Sequence, residues 1–550
     1  MRPPRSHLPR GITRRNFLRS AAATSALLSA PSVLGAAGGD ISTPPPGAGK
    51  GPFIHGVASG DPLSDRVILW TRVTENHPPK QIHVSYVVAT DPKLRHVVSS
   101  GSAVATQDAD YTVKVDVAGL QPNTTYFYRF TTRGGNSPIG RTKTLPVGSV
   151  DRLRIAVASC ASLAHGYFNA YRMLAQRADL DVVVHLGDYI YEYGDGQYGD
   201  LRNYQPPTEI VTLREYRTRH NQYKADRDLQ AMHRQHPIVP IWDDHEFADD
   251  AWQGGAANHQ PDTEGAWSAR VTAAVRAYYE WMPIRRVAQD KRRIFRSFRI
   301  GDLVELFMLE ERVTARSQQV EPNLIAGTSL FTEDGEFLDP SRVVIGDPQQ
   351  QWLIDGLRNS SAQWKLIGQG VMMAPARAAV TPDGRDVFFN HDQWDGYKPA
   401  RDRLLGAIQS ASVRNAVVLT GDIHSSWAAD LPPDPYSDAY NALTGDGSLA
   451  VELVGTSVTS PGFDDPDGQA AAGLRSLNPH MKYIELTRHG YLLLDVTQQR
   501  VSGEWWYVDT IESQGGGESF ATALQAVDGT NRLAPSTQSD PKATAPPLAP

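Results

Sequence analysis

Two stretches decide how this chain is read: Arg154-Ile155-Ala156-Val157-Ala158-Ser159-Cys160 and Asp181-Val182-Val183-Val184-His185-Leu186-Gly187-Asp188-Tyr189-Ile190-Tyr191. Each contains a short apolar run without alternation, the pattern of a strand buried on both faces. Each then breaks into residues that carry chemistry. Pro237-Ile238-Val239-Pro240-Ile241-Trp242 runs likewise into Asp243-Asp244-His245-Glu246, and Ala416-Val417-Val418-Leu419-Thr420 into Gly421-Asp422-Ile423-His424. With helical patterns at 165–178, 212–235, 266–282 and 401–413 between such runs, the region from about 150 predicts a layered α/β domain. A further helix has a legible start, with Asp347 as N-cap, Pro348 at N1 and Gln350 at N3. Chemical groups at the strand ends of such a domain gather along one edge of the sheet, where these folds hold ligands.

The chain of 550 residues contains one cysteine, Cys160, so an intrachain disulfide is excluded. In an exported protein that thiol is inert, reactive or bound, and its company of Asp, Tyr and His makes metal ligation the leading reading. A formal charge of -7 offers no basic patch for nucleic acid and does not repel a cationic metal. The length predicts two domains, and a hydrophobic fraction of 40% suffices for a sizeable core.

Residues 1–37 read as a signal peptide. Thr13-Arg14-Arg15-Asn16-Phe17-Leu18-Arg19 resembles the twin-arginine consensus, and an Ala- and Ser-rich run too short for a membrane anchor follows. The export machinery of that route is thus an expected partner, with a periplasmic or extracellular destination. Residues 38–50 form a Pro/Gly linker. From 51 to 147 short alternating runs such as Ile82-His83-Val84-Ser85-Tyr86-Val87-Val88 predict an antiparallel β-sandwich of immunoglobulin-like type. Leu120-x-Pro122-x-Thr124-x-Tyr126 resembles the tyrosine corner of fibronectin type III domains, whose hydroxyl bonds back to nearby backbone. Residues 150–511 make the α/β domain. The Gly-, Pro- and Ser-rich 512–550 reads as a mobile tail with a short helix near Phe520–Val527.

Five blocks resemble, in order, signatures of the alkaline phosphatase D (PhoD) family: Phe53 to Pro62, His185 to Glu192, Trp242 to Glu246, Asn390 to Tyr397 and Val454 to Ser457. Gly-Asp-x-x-Tyr, Asp-His-Glu and Gly-Asp-x-His are also similar to the metal-binding pattern of calcineurin-like enzymes and purple acid phosphatases. The resemblance spans roughly residues 50–510. It implies a four-layer metallophosphoesterase-type sandwich behind the immunoglobulin-like or fibronectin-III-like domain. It also implies an exported hydrolase of phosphate esters, in which metal-activated water attacks phosphorus.

The implied metals are a ferric iron, on Cys160, Asp188, Tyr191 and His424, and calcium (one or two ions), on Asp188, Asp244 and Asp422. Phenolate and carboxylate suit a hard trivalent ion. Carboxylates at Asp244 and Asp422, where the wider pattern has Asn and His, favour calcium. His245 is the candidate for stabilising the transition state or protonating the leaving oxygen, with Glu246 as its holder if it is merely structural. Arg312 is the candidate phosphate clamp, with a surface salt bridge as the alternative. Asp243 reads as a supporting residue or a ligand. Trp394, Tyr397 and Trp427 read as a substrate groove or as packing, Tyr189 and Tyr193 as core or rim, and His489 as structural, with reach into the site as the alternative. A phospholipase-D-like or teichoic-acid-directed phosphodiesterase is the neighbouring reading. A cysteine-nucleophile hydrolase, with Cys160 and a histidine base, is the reading from another class.

Overall fold

The computed structural model describes residues 51–287, 290, 292–325 and 328–550; the signal peptide and linker expected before Gly51 lie outside the described residues. Two large mixed sheets organise the chain. In the ten-stranded sheet, Arg152–Ala158, Val182–Leu186, Pro237–Ile241 and Val57–Gly60 run parallel side by side. In the seven-stranded sheet, Val304–Met308, Trp364–Gln369, Ala416–Thr420 and Ala450–Val454 do the same. The apolar runs are as buried as their composition demands: all five residues of Val182–Leu186 and of Ala416–Thr420 are inaccessible.

Alternation along the seven-stranded sheet separates two cores. Leu306, Leu366, Val417 and Leu453 turn toward the ten-stranded sheet and pack with Ile155, Val184 and Leu492. Phe307, Ile367, Val418 and Val454 face the other way, onto Leu353 and Leu357 of helix Asp347–Asn359 and Leu404 and Ile408 of helix Lys398–Ser410.

The N-terminal β-sandwich is joined to this body through a sheet. Its outer layer is built on Gln81–Ala89, Val97–Thr106 and Thr125–Thr132, packed through Val84, Tyr126, Tyr128 and Phe130. Its inner layer, Arg66–Arg72 and Thr112–Ala118, is the end of the ten-stranded sheet itself. Tyr126 Oη accepts the Gln121 N–H at 2.8 Å, the backbone tie foreseen from the Leu120–Tyr126 spacing.

Several local expectations are corrected. The pattern at 212–235 is two helices, Leu213–Lys224 and Arg227–Gln235, because the Asp226 carboxylate caps the second by accepting from Asp228 N and Leu229 N. Gly346, one residue earlier than Asp347, is the N-cap of Asp347–Asn359.

The tail is ordered. Glu518–Val527 is a strand paired with Arg500–Val508, and Leu533–Ser536 adds one more at the edge. Ala and Leu there are compatible with a helix locally, but an available sheet edge decides the outcome. Beyond it, Asp540 O accepts from Arg154 Nη1 at 2.7 Å, Lys542 Nζ reaches Asp181 and Ala549 N donates to Gln235 at 2.8 Å. These anchors lie at the strands' N-terminal ends, opposite the edge that carries Cys160 and Asp188.

His220, His236 and His480 are buried, and burial pushes each imidazole down to about 3. They stay neutral when folded, whereas an unfolded histidine binds a proton below about 6.5. Their contribution is therefore complete above pH 6.5 and is lost progressively as pH falls toward 3. Urea unfolding should weaken steadily from pH 7.5 to 5, with a slope approaching about 1.4 kcal/mol per pH unit for each histidine. A midpoint that stays constant down to pH 4.5 would contradict this.

Candidate functional site

Every chemical cluster expected from the sequence leaves the C-terminal end of a parallel strand. Cys160 follows Arg152–Ala158, Asp188 follows Val182–Leu186, Asp243 to Glu246 follow Pro237–Ile241, and Asp422 and His424 follow Ala416–Thr420 in the other sheet. The site thus sits where the C-terminal edges of the two sheets meet. Cys160, Asp188, Asp422 and His424 all have left-handed backbones, with φ of 59°, 53°, 58° and 58°. Non-glycine residues hold that conformation at a cost of order 1–3 kcal/mol each, and it turns their side chains off the strand axis and inward. Gly187, at φ 101°, leaves room for the next turn: a Cβ there would lie 2.3 Å from Asp243 Cβ.

Glu246 ties two of these turns together. Its carboxylate accepts from the backbone N–H of Asp188 at 3.0 Å, Asp243 at 2.7 Å, Tyr189 and Ile190. Glu246 therefore does not hold His245. Glu192 does, with Oε2 at 2.7 Å from His245 Nδ1 while Oε1 accepts from Asp249 N and Asn258 Nδ2.

One side of the site gathers Cys160, Asp188 and His424, whose ligand atoms lie within 4.8 Å of one another. Tyr191 Oη donates to Asp188 Oδ2 at 2.9 Å, stands 3.2 Å from His424 Nε2 and accepts from Ser460 Oγ at 2.6 Å. His424 Nδ1 is bonded to Pro461 O at 3.0 Å, which directs Nε2 into the cluster, as a neutral metal-ligating imidazole requires. The other side groups Asp243, Asp244 and Asp422 within the same reach, and Asp188, Asp244 and His245 form a bridging set. Asp243 Oδ2 is buried without a hydrogen-bond partner among the described residues, as a carboxylate facing a cation would be.

The electrostatics point the same way. Burial, then the Asp188 carboxylate, pushes the Cys160 thiol and the Tyr191 phenol far above their ordinary ranges, so an adjacent cation is needed to deprotonate either. Burial also opposes charge on His245, but Glu192, Asp244 and Asp188 outweigh it and raise the imidazole well above the ordinary histidine range.

Arg312 departs from its expected clamp role. Its guanidinium is wholly buried, with Nε on Asp243, Nη1 2.7 Å from Asp392 and Nη2 2.9 Å from Asp422 and 3.6 Å from Asp244. The donors that would grip a phosphate are engaged by carboxylates. Asp422 Oδ2 accepts in turn from Gln393 Nε2 at 2.6 Å, yet each carboxylate oxygen keeps a second lone pair for a hard cation. Of the two readings of Trp394, Tyr397 and Trp427, packing is the one their burial fits: all three are fully buried in the core beside helix Lys398–Ser410. His489 Nδ1 bonds Ser457 Oγ at 3.0 Å, and Ser457 in turn donates to Ser460 O at 2.6 Å. Sequence reasoning missed the parts played by Glu192, Asp392, Gln393 and Ser460. The first three stand inside the quoted blocks and were legible as candidates, whereas nothing local marks Ser460.

Comparison with known proteins adds to this geometry. The PhoD-like phosphatase family matches residues 155–505, and the N-terminal domain of PhoD-like phosphatases matches residues 39–146. Alkaline phosphatase D of Bacillus subtilis (strain 168) is 35% identical over 472 residues, covering 82% of this chain and 77% of its own. A solved structure of PhoD superposes with a TM-score of 0.81 at 33% identity, over 90% of this chain and 93% of that one. Fold and site together define a phosphoric ester hydrolase. The chain belongs to the PhoD-like phosphatase family.

Glu246→Ala should destabilise the protein severely, because each buried amide left without an acceptor costs roughly 1–3 kcal/mol. Glu246→Gln, which keeps one carbonyl oxygen, should lose less. Urea titration of both variants tests this, and an alanine variant as stable as the parent would refute it.

Proposed function

We propose that this phosphatase is an exported, metal-dependent enzyme with a ferric iron on Cys160, Asp188, Tyr191 and His424 and calcium (one or two ions) on Asp188, Asp244 and Asp422. The observation that carries the reading is the convergence of a thiol, a carboxylate, an imidazole and a phenol around one point in the interior. Thiolate and phenolate beside carboxylate suit ferric iron, and an all-carboxylate set suits calcium. The four-layer arrangement implied by the resemblance is part of the same proposal, supported by the two cores on either face of the seven-stranded sheet.

Bound cations would supply Lewis acidity at the phosphoryl oxygens and a nucleophile at neutral pH. The remaining work belongs to the side chains. His245, oriented by Glu192 at 2.7 Å, is the group placed to donate a proton toward the leaving oxygen. Arg312 balances the carboxylates and keeps their geometry fixed before substrate arrives. A thiol nucleophile has less support, since Cys160 is 1% exposed and burial holds it neutral.

A preference for phosphodiesters belongs to the same proposal. A diester monoanion asks the bound cations to neutralise one charge fewer than a monoester dianion does, and Arg312 is already engaged by carboxylates. Export rests on the twin-arginine segment at Thr13 to Arg19. Among the described residues no helix is long and apolar enough to cross a membrane.

Purified protein should contain roughly one iron per chain together with calcium, and should show a visible phenolate-to-iron absorption lost in Tyr191→Phe. Calcium chelation should abolish activity, and full activity in metal-free protein would refute the reading. With substrates, kcat/KM for bis-p-nitrophenyl phosphate should exceed that for p-nitrophenyl phosphate. The opposite order would remove the diester preference, and phosphatidylcholine in the same panel tests the phospholipase-D-like reading.

A further inference from the structure

Lys224, the last residue of helix Leu213–Lys224, is 1% exposed and takes no part in the metal cluster. Its Nζ lies 2.9 Å from His233 Nε2, 4.9 Å from the centre of the Trp70 ring and 5.1 Å from that of Tyr189. Burial pushes the amine far below the ordinary lysine range, and no carboxylate among the described residues pairs with it. An enclosed amine without a counter-charge costs stability that an apolar side chain of similar length does not. Packing alone gives no reason for a lysine at this point.

Two side chains connect this amine to the turn that carries the proposed iron ligands. His233, on helix Arg227–Gln235, bonds Tyr189 Oη through the same Nε2 at 2.8 Å, and its Nδ1 has no hydrogen-bond partner among the described residues. The imidazole is therefore oriented by Lys224 and Tyr189 together. Tyr189 stands between Asp188 and Tyr191, in a turn with two anchors. Glu246 accepts from the backbone of Asp188, Tyr189 and Ile190, and His233 holds the Tyr189 side chain. His185, bonded to Tyr171 Oη at 2.7 Å, meets the Tyr189 ring edge-on at 5.3 Å. Because Tyr191 Oη is bonded to Asp188 Oδ2 at 2.9 Å, a rotation of the turn displaces both donors.

We propose that Lys224 is a positioning residue: by way of His233 and Tyr189 it sets the turn Asp188–Tyr191, and with it the placing of two iron ligands. The assignment rests on the reading of Asp188 and Tyr191 as ligands of iron. Lys224 is not itself a ligand and acts through the orientation of the imidazole. Without the amine, His233 keeps one hydrogen bond, to Tyr189, and the ring and the hydroxyl are free to move together. Groups that orient ligand residues change metal affinity by about tenfold or more when they are removed.

The test uses the metal-loaded full-length enzyme. It reads the phenolate-to-iron absorption, iron loss to desferrioxamine, kcat for bis-p-nitrophenyl phosphate and the urea midpoint. Lys224→Met should shift the absorption maximum, hasten iron loss about tenfold and lower kcat about three- to tenfold. Its urea midpoint should equal or exceed the parent's, since a buried amine is removed. Tyr189→Phe, which deletes one hydroxyl, should shift the band in the same direction, and it decides the matter if Lys224→Met folds poorly. Because both act along one path, the double variant should lose no more than the larger single loss. A merely structural lysine would lower the urea midpoint and leave the band, iron retention and kcat of the folded protein parental, which would overturn the proposal. Additive losses in the double variant would overturn the path through Tyr189. A parent without the band, or a Tyr191→Phe variant that keeps it, would overturn the iron reading itself.

Discussion

The buried carboxylate cluster is the constraint around which this molecule is arranged. Asp188, Asp243, Asp244, Asp392 and Asp422 are all withdrawn from water along one edge, and like charges in such surroundings are costly unless they are neutralised. Arg312 reaches Asp243, Asp392 and Asp422 at once, and Arg316 supports it by holding Asp392 at 2.8 Å. The strained left-handed turns at Cys160, Asp188, Asp422 and His424 make sense in that setting. They aim donors at one point, and the amide bonds to Glu246 hold two of the turns in place. Such a site is preorganised: its dipoles and charges are set by packing, so little reorganisation is needed when a phosphoryl group enters.

The rest of the fold supplies rigidity from the opposite side. Parallel strands buried on both faces cannot slip without exposing their apolar runs, so the C-terminal edge is fixed relative to the core. The tail extends the same sheet and anchors the N-terminal strand ends through Arg154, Asp181 and Gln235. The N-terminal sandwich shares that sheet as well, which makes it a continuation of the catalytic body rather than an attachment.

Much of this was legible in the chain. The run Val182–Leu186 followed by Gly187-Asp188 states its own structure, because an apolar run of that length needs two covered faces and its polar end must emerge at an edge. Alternation identified the sandwich, and the spacing of Tyr126 its corner bond. Less legible were partners distant in sequence. Nothing near His245 says that its carboxylate is Glu192, 53 residues earlier, rather than the adjacent Glu246. Trp394 and Tyr397 lie among charged residues, yet the fold closes over both.

The sequence alone determined which chemical groups exist and which strand end carries each, since strand burial and turn position are local properties of composition. It also determined that one thiol would stand without a disulfide partner. Tertiary structure decided which groups face one another: that Arg312 is consumed by carboxylates, that Glu518–Val527 becomes a strand and that His245 is held by Glu192. Those outcomes depend on which elements the packed core brings together, and no local pattern encodes the free energy of pairing two residues far apart in the chain.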